Sequence, residues 1–143
     1  MKIALASDHG GFTLKEEIEK HLICRGFQVL DLGTHSEESV DYPVFGKRIG
    51  EAVTGGEADL GIAFCGTGVG ISIACNKVKG VRCAVATNLF MAEMAKKHNN
   101  ANILALGGRV LAPQDAARIV DMWLDSAFDG DRHARRVRLL DEM

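Results

Sequence analysis

Five short apolar runs alternate with amphipathic stretches along this chain, and that alternation limits the fold more than any other feature. Lys2–Ser7, Phe27–Leu32, Ala58–Phe64, Arg82–Ala86 and Ile103–Leu106 read as strands. After the first, Thr13 and Glu16 offer a capping box, and Leu14, Ile18 and Leu22 recur at helical spacing up to Gly26. Pro43 suits the first turn of a second helix, with Phe45, Ile49 and Val53 on one face and Gly55-Gly56 at its end. Further helices are predicted from Gly70 to Asn76 and from Asn88 to His98. Pro113 opens another, whose stripe is Ala116, Ile119, Val120, Trp123 and Leu124. Five βα units of this kind predict an α/β, Rossmann-like three-layer sandwich: a five-stranded parallel sheet with helices on both faces. Ligands then bind beyond the carboxyl ends of the strands. Residues 1–143 read as one domain with a basic helical tail over about 129–143.

Composition narrows the function classes. A hydrophobic fraction of 47% and a charged fraction of 25% are those of a globular protein with a real core. The net charge of -2 gives no general attraction to nucleic acid or anionic membrane, and neither is expected as a partner. No apolar stretch is long enough to span a bilayer, and the N-terminus lacks a signal-peptide layout. The four cysteines, Cys24, Cys65, Cys75 and Cys83, contain no closely spaced pair of the kind found in zinc knuckles or thioredoxin-like motifs. Reduced thiols in a cytoplasm are the natural expectation.

The chemistry centres on Cys65-Gly66-Thr67-Gly68-Val69-Gly70, which joins the third strand to an apolar helix. Glycines at alternate positions let several backbone N–H groups face one point, and the helix dipole adds positive potential there. A thiol at the lip of such a nest favours its thiolate. The loop is not a dinucleotide fingerprint, because its spacing is G-x-G-x-G and Ala86 and Thr87 lie where an acidic ribose ligand belongs. It also lacks the Lys-Ser/Thr of a P-loop. Cys24, Cys75 and Cys83 lie in helix or strand patterns and read as inert packing.

Other candidates sit at strand ends. Ser7-Asp8-His9-Gly10-Gly11 ends the first strand, where Asp8 either caps the next helix or joins a site with His9. Gly107-Gly108-Arg109 ends the fifth. His98-Asn99-Asn100-Ala101-Asn102 closes the fourth helix; one asparagine in left-handed conformation would end it, and His98 supplies a group able to exchange protons near neutral pH. In the tail, Arg132 and Arg136 share a helical face at i, i+4 spacing and suit phosphate.

These motifs, with Asp41-Tyr42-Pro43 and Arg132-His133-Ala134-Arg135-Arg136, occur in an order that resembles the sugar-phosphate isomerase family. That family holds the type-B ribose-5-phosphate isomerases and the allose- and galactose-6-phosphate isomerases. The resemblance runs nearly end to end. The family commonly has Asp at the position of Asn100, and Val44-Phe45-Gly46 also departs from its pattern. The resemblance implies interconversion of D-ribose 5-phosphate and D-ribulose 5-phosphate, a phosphorylated sugar being the substrate, with no metal or organic cofactor. It implies Cys65 as the base that moves a proton between C2 and C1, since no acidic residue occurs from Gly66 to Lys77 to replace it as in one subgroup. His98, with Asp8 nearby, would open the furanose ring. Thr67 and the amides of Gly66, Thr67, Gly68, Val69 and Gly70 would cradle the enediolate. Asn99 would bind a substrate hydroxyl or oxyanion, and His9, Arg109, Arg132 and Arg136 would clamp the phosphate. Tyr42 borders the sugar. The family also implies a homodimer, or a dimer of dimers, with sites at the subunit interface.

The borrowed roles agree with elementary chemistry. Removing a proton α to a carbonyl creates an enediolate that needs preorganised donors, and the remote phosphate supplies binding energy for positioning. Two other readings stay open: a hexose-6-phosphate isomerase with the same machinery, and a non-catalytic module that binds a phosphorylated ligand.

Overall fold

The computed structural model describes residues 1–143, and the expected alternation is present throughout. In chain order the elements are β1 (Lys2–Ser7), α1 (Phe12–Cys24), β2 (Gln28–Asp31), α2 (Tyr42–Thr54), β3 (Leu60–Cys65) and α3 (Val69–Asn76). There follow β4 (Cys83–Val85), α4 (Leu89–Lys97), β5 (Ile103–Gly107), α5 (Pro113–Asp125) and α6 (Arg132–Asp141). All strand pairs are parallel, in the order β2-β1-β3-β5-β4. The α/β sandwich predicted from the alternation is the observed architecture. No helix is long and apolar enough to cross a membrane.

Residue size differs between the two faces of the sheet. Ile3, Leu5, Ile62, Phe64, Leu104 and Leu106 meet Leu14, Ile18 and Leu22 of α1 and Ile119, Val120 and Trp123 of α5 on one face. The other face presents mainly small side chains, Ala4, Ala6, Ala63 and Ala105, to Phe45 and Ile49 of α2 and Ile71 of α3. Successive strand residues point to opposite faces, so the alternation of large and small residues is what separates the two layers. Between β1 and β3 the order of strands reverses direction, and crevices at such points are where open α/β sheets bind ligands. Ser7 pairs with Phe64, and Cys65 with Gly107. The ends of β1, β3 and β5 therefore lie level at one edge.

Local signals fared unequally. The helix read from Asn88 to His98 runs from Leu89 to Lys97, and Asn88 caps it, its Oδ1 accepting from the Met91 N–H at 2.9 Å. The capping box at Thr13 and Glu16 does not form. Helix α1 already starts at Phe12 behind Gly11, because the Asp8 carboxylate accepts the Gly11 N–H at 3.1 Å and closes the turn early. Thr13 is then inside the first turn, and its hydroxyl donates to Glu37 at 3.2 Å.

One buried charge ties the edge strand to the rim. Lys15 is fully buried, with Nζ 2.7 Å from Asp31 Oδ2 and 3.1 Å from Glu16 Oε1. The other Asp31 oxygen accepts the Gly33 N–H at 2.9 Å and so anchors the loop after β2. Asp31→Ala should lower stability by about 3 kcal/mol, since it removes the closer of the two carboxylates that pair directly with the buried ammonium and leaves Glu16, at 3.1 Å, as the remaining ion-pair partner. Lys15→Met combined with Asp31→Leu should recover most of that loss, and urea unfolding of both variants checks it.

Candidate functional site

Two groups of candidate residues emerge, and the sheet separates them. The first gathers at the carboxyl edge. The backbone N–H of Asp8 bonds to the Phe64 carbonyl at 3.2 Å, which sets Asp8 beside Cys65. The N–H of Gly108 donates to the Cys65 carbonyl at 2.8 Å, and that of Arg109 to the Gly66 carbonyl at 2.9 Å. The Arg109 guanidinium lies against Gly66, since a Cβ built there would come 3.1 Å from Nη1. Tyr42, at the start of α2, lies over Gly70, where a Cβ would come 2.8 Å from the phenol ring. His9 accepts the Val40 N–H on Nδ1 at 3.1 Å, so the neutral ring carries its proton on Nε2. Asp8, His9, Cys65, Gly66, Thr67, Gly68, Val69, Gly70 and Arg109 thus share one rim, as their places after β1, β3 and β5 imply, and Tyr42 joins them from the start of α2.

Within this rim the loop after β3 is built to receive negative charge. Gly68 caps α3 with φ 83, a left-handed conformation that costs other residues about 1–2 kcal/mol. That turn aims the Gly68 N–H at Cys65 Sγ, 3.1 Å away. A thiolate accepts such a bond more strongly than a thiol does. The Thr67 hydroxyl oxygen accepts from the Val69 N–H at 3.2 Å. The N–H groups of Gly66, Thr67 and Gly70 have no acceptor within the chain and remain available to a ligand. Cys65 is buried, and Thr67 and Val69 are exposed above it.

The second group lies at the opposite edge. His98 and Asn99 precede β5, whereas Cys65 pairs with the last residue of that strand. Four strand steps at roughly 3.3 Å each separate the two ends by about 13 Å. The three asparagines divide their work. Asn100 has φ 45 and is the left-handed residue expected at the helix end. Asn102 fixes the start of β4, accepting from the Arg82 N–H at 2.8 Å and donating to the Gly80 carbonyl at 3.0 Å. Asn99 is exposed with no side-chain bond of this kind. Helix α6 returns to the same edge, held by Arg82 Nη1 to Asp141 Oδ1 at 2.8 Å, and turns Arg132 and Arg136 outward. The largest cavity, about 420 Å³, also opens here and not over Cys65; Arg82, Asn99 and Leu140 are among its lining residues.

Sequence reasoning gave no role to His133, which the structure places at the heart of this second group. Its ring stacks on His98 with centroids 4.1 Å apart and planes 9° from parallel. The periodicity of α6 held the signal: His133 and Val137 point inward, while the arginines beside them do not. Burial holds the His133 imidazole below its ordinary range, helped by the charges of His98, Arg132 and Arg136 and opposed by Asp129.

Two clusters bring potential metal ligands within 4.8 Å of one another: His98 with Asp129 and His133, and Glu16 with Glu19 and Asp31. The second surrounds the Lys15 ammonium, which already supplies the cation. Burial, with repulsion from Asp31 and Glu16, raises the Glu19 carboxyl above its usual range. In the first, nearly parallel rings send their in-plane lone pairs side by side, whereas a bound ion needs them to converge.

Comparison with known proteins gives this geometry a family. Residues 3–140 match the family model described as Ribose/Galactose Isomerase. The chain belongs to the ribose/galactose isomerase family. It is 48% identical over 139 residues to ribose-5-phosphate isomerase B of Escherichia coli, covering 97% of this chain and 93% of that protein. The solved structure of Clostridium thermocellum ribose-5-phosphate isomerase B superposes with a TM-score of 0.98 at 58% identity, over 99% of this chain and 96% of that one. The Mycoplasma genitalium ribose-5-phosphate isomerase B, solved with bound ribulose 5-phosphate, gives 0.93 at 41% identity, over 99% and 94%. The protein is an isomerase of this family, and both groups of residues described above lie within the matched span.

Two outcomes follow from this geometry. Gly68→Ala should cost at least about 1–2 kcal/mol of stability, through its left-handed φ and the approach of the new Cβ to the Leu106 carbonyl carbon at 3.0 Å, and move the donor off Cys65; turnover and the urea midpoint of the variant measure the two effects. Because His133 is held below the ordinary histidine value, the unfolded chain takes up the proton first. Its contribution to stability is therefore intact above about pH 6.5 and lost as pH falls below that value. Urea midpoints taken between about pH 7 and about pH 5 should fall more steeply for the natural chain than for His133→Asn.

Proposed function

We propose that this protein interconverts D-ribose 5-phosphate and D-ribulose 5-phosphate through a cis-enediolate. The observation that carries the reading is the buried Cys65 sulfur under the Gly68 N–H, next to three amides with no acceptor in the chain. The names of the relatives support the pentose phosphate as substrate. In this mechanism His98 takes the proton from the anomeric hydroxyl and returns one to the ring oxygen, which opens the furanose. Cys65 then removes the proton on C2 as a thiolate. The enediolate charge meets Thr67 and the amides of Gly66, Thr67 and Gly70, as preorganised donors require. The hydroxyl proton passes from O2 to O1, and Cys65 returns its proton to C1. Asp8 assists ring opening, Asn99 binds a substrate oxygen, and Tyr42 borders the sugar. His9, Arg109, Arg132 and Arg136 hold the phosphate.

The two halves of this machinery lie at opposite edges of one sheet, so a complete site requires a second copy of the chain. Exposed apolar side chains flank both halves: Tyr42, Val44, Val69 and Ile73 near the cysteine loop, and Leu139 and Leu140 near the histidine pair. A two-fold dimer applies one patch to another on both copies at once, and so completes two sites together. No metal or organic cofactor enters this chemistry, and a cytoplasmic setting suits the free thiols.

The test is isomerisation of ribose 5-phosphate beside allose 6-phosphate with EDTA present. A higher kcat/KM for the pentose is expected. A preference for the hexose keeps the mechanism and changes the substrate, and turnover of neither overturns the reading. Cys65→Ala should reduce kcat by about 10³-fold or more, while phosphate-dependent binding persists. Turnover near that of the natural chain would remove Cys65 from the role of base.

A further inference from the structure

We propose that His133 is a positioning residue for ring opening, a buried platform that fixes the plane of the His98 imidazole. This deepens the isomerase reading and rests on it. His98 ends α4 and is half-buried, with no side-chain hydrogen bond within the chain to orient it. A ring in that position samples several rotamers unless something covers one face. His133 supplies the cover: it is 6% exposed, and its ring lies 4.1 Å from that of His98 with planes 9° apart.

The platform is held independently of His98. Val137 buries the same side of α6, and Arg82 ties the far end of the helix to Asp141 at 2.8 Å. At its near end the Asp129 N–H donates to the Lys97 carbonyl at 3.0 Å, which fixes the loop before α6 to the end of α4. The stack thus joins two elements that are already clamped together. It leaves the edge of the His98 ring, where its nitrogens lie, free to meet a substrate oxygen. Acid–base transfer depends on such directional control, because a misplacement of about 1 Å can cost 10²-fold.

Charge fits the same role. His98 must gain and lose a proton in the proposed ring opening. A second cation stacked face to face on it would oppose that, and Arg132 and Arg136 already bring positive charge from the same helix. A neutral His133 avoids the conflict, and the Asp129 carboxylate lies within 4.8 Å of both rings.

The substrate pair allows the role to be isolated. Ribose 5-phosphate is a furanose and must be opened. Ribulose 5-phosphate carries its phosphate on the oxygen that a five-membered ketose ring would need, so it is always open-chain. Deuterium exchange at C1 of ribulose 5-phosphate in D2O therefore needs Cys65 and the cradle but not ring opening. For His133→Ala we expect kcat on ribose 5-phosphate to fall about 10- to 100-fold while C1 exchange stays within about twofold. His133→Phe, which restores a flat face, should recover most of the lost kcat. Equal loss of both activities would overturn the proposal in favour of a general structural role, and so would unchanged turnover in His133→Ala. Tight Zn²⁺ binding to the natural protein that disappears in His133→Ala would overturn it in favour of a chelating site. If the natural protein gives neither turnover nor exchange, the isomerase reading itself fails and the platform with it.

Discussion

Every strand of the sheet points the same way, and the placement of chemistry depends on that constraint. In a parallel sheet all carboxyl ends share one edge and all amino ends the other. Asp8, Cys65 and Arg109 follow β1, β3 and β5, so hydrogen bonds between neighbouring strands bring them together without any long-range design. His98 and Asn99 precede β5, so the length of that strand, about 13 Å, stands between them and the carboxyl edge. A βα unit can place a residue at either edge, but never one residue at both. The proposed site, which needs both sets, is for that reason proposed to be shared between two copies.

At the carboxyl edge the backbone does most of the work. The left-handed turn at Gly68 is what aims an amide at the Cys65 sulfur, and the start of α3 leaves neighbouring amides without partners. Such donors need no reorganisation when charge develops on a substrate, which makes their effect larger than that of mobile side chains. Side chains refine this frame. The Lys15–Asp31 pair holds the loop after β2, and that loop runs on to Val40, whose N–H fixes the His9 ring.

Signals repeated along the chain were the legible ones. The alternation of apolar runs and amphipathic helices predicted the architecture, because burial of one face acts on many residues at once. Strand ends likewise predicted the rim that holds Asp8, Cys65 and Arg109. Single-residue signals were weaker. Thr13 and Glu16 have the spacing of a capping box, yet the buried Asp8 turn starts α1 earlier. The surplus of asparagines after His98 was visible, but its division was not: Asn100 and Asn102 answer to Arg82 and the β4 edge, which lie 18 and 20 residues away in the chain. The residues around His133 assign it no role, because its stacking partner, His98, lies 35 residues away in the chain. The separation of the two groups follows from the parallel register alone, once Cys65 is known to end its strand and His98 to precede the next.

The measurement that bears most directly on a site shared between copies is complementation. Cys65→Ala and His98→Asn chains, each inactive alone, are co-expressed with different tags and assayed on ribose 5-phosphate. Random pairing makes half of the dimers mixed, and each mixed dimer has one site with both natural residues. Activity should return to about a quarter of that of the natural protein and concentrate in the doubly tagged fraction. A doubly tagged fraction as inactive as either parent would contradict a site built from two chains.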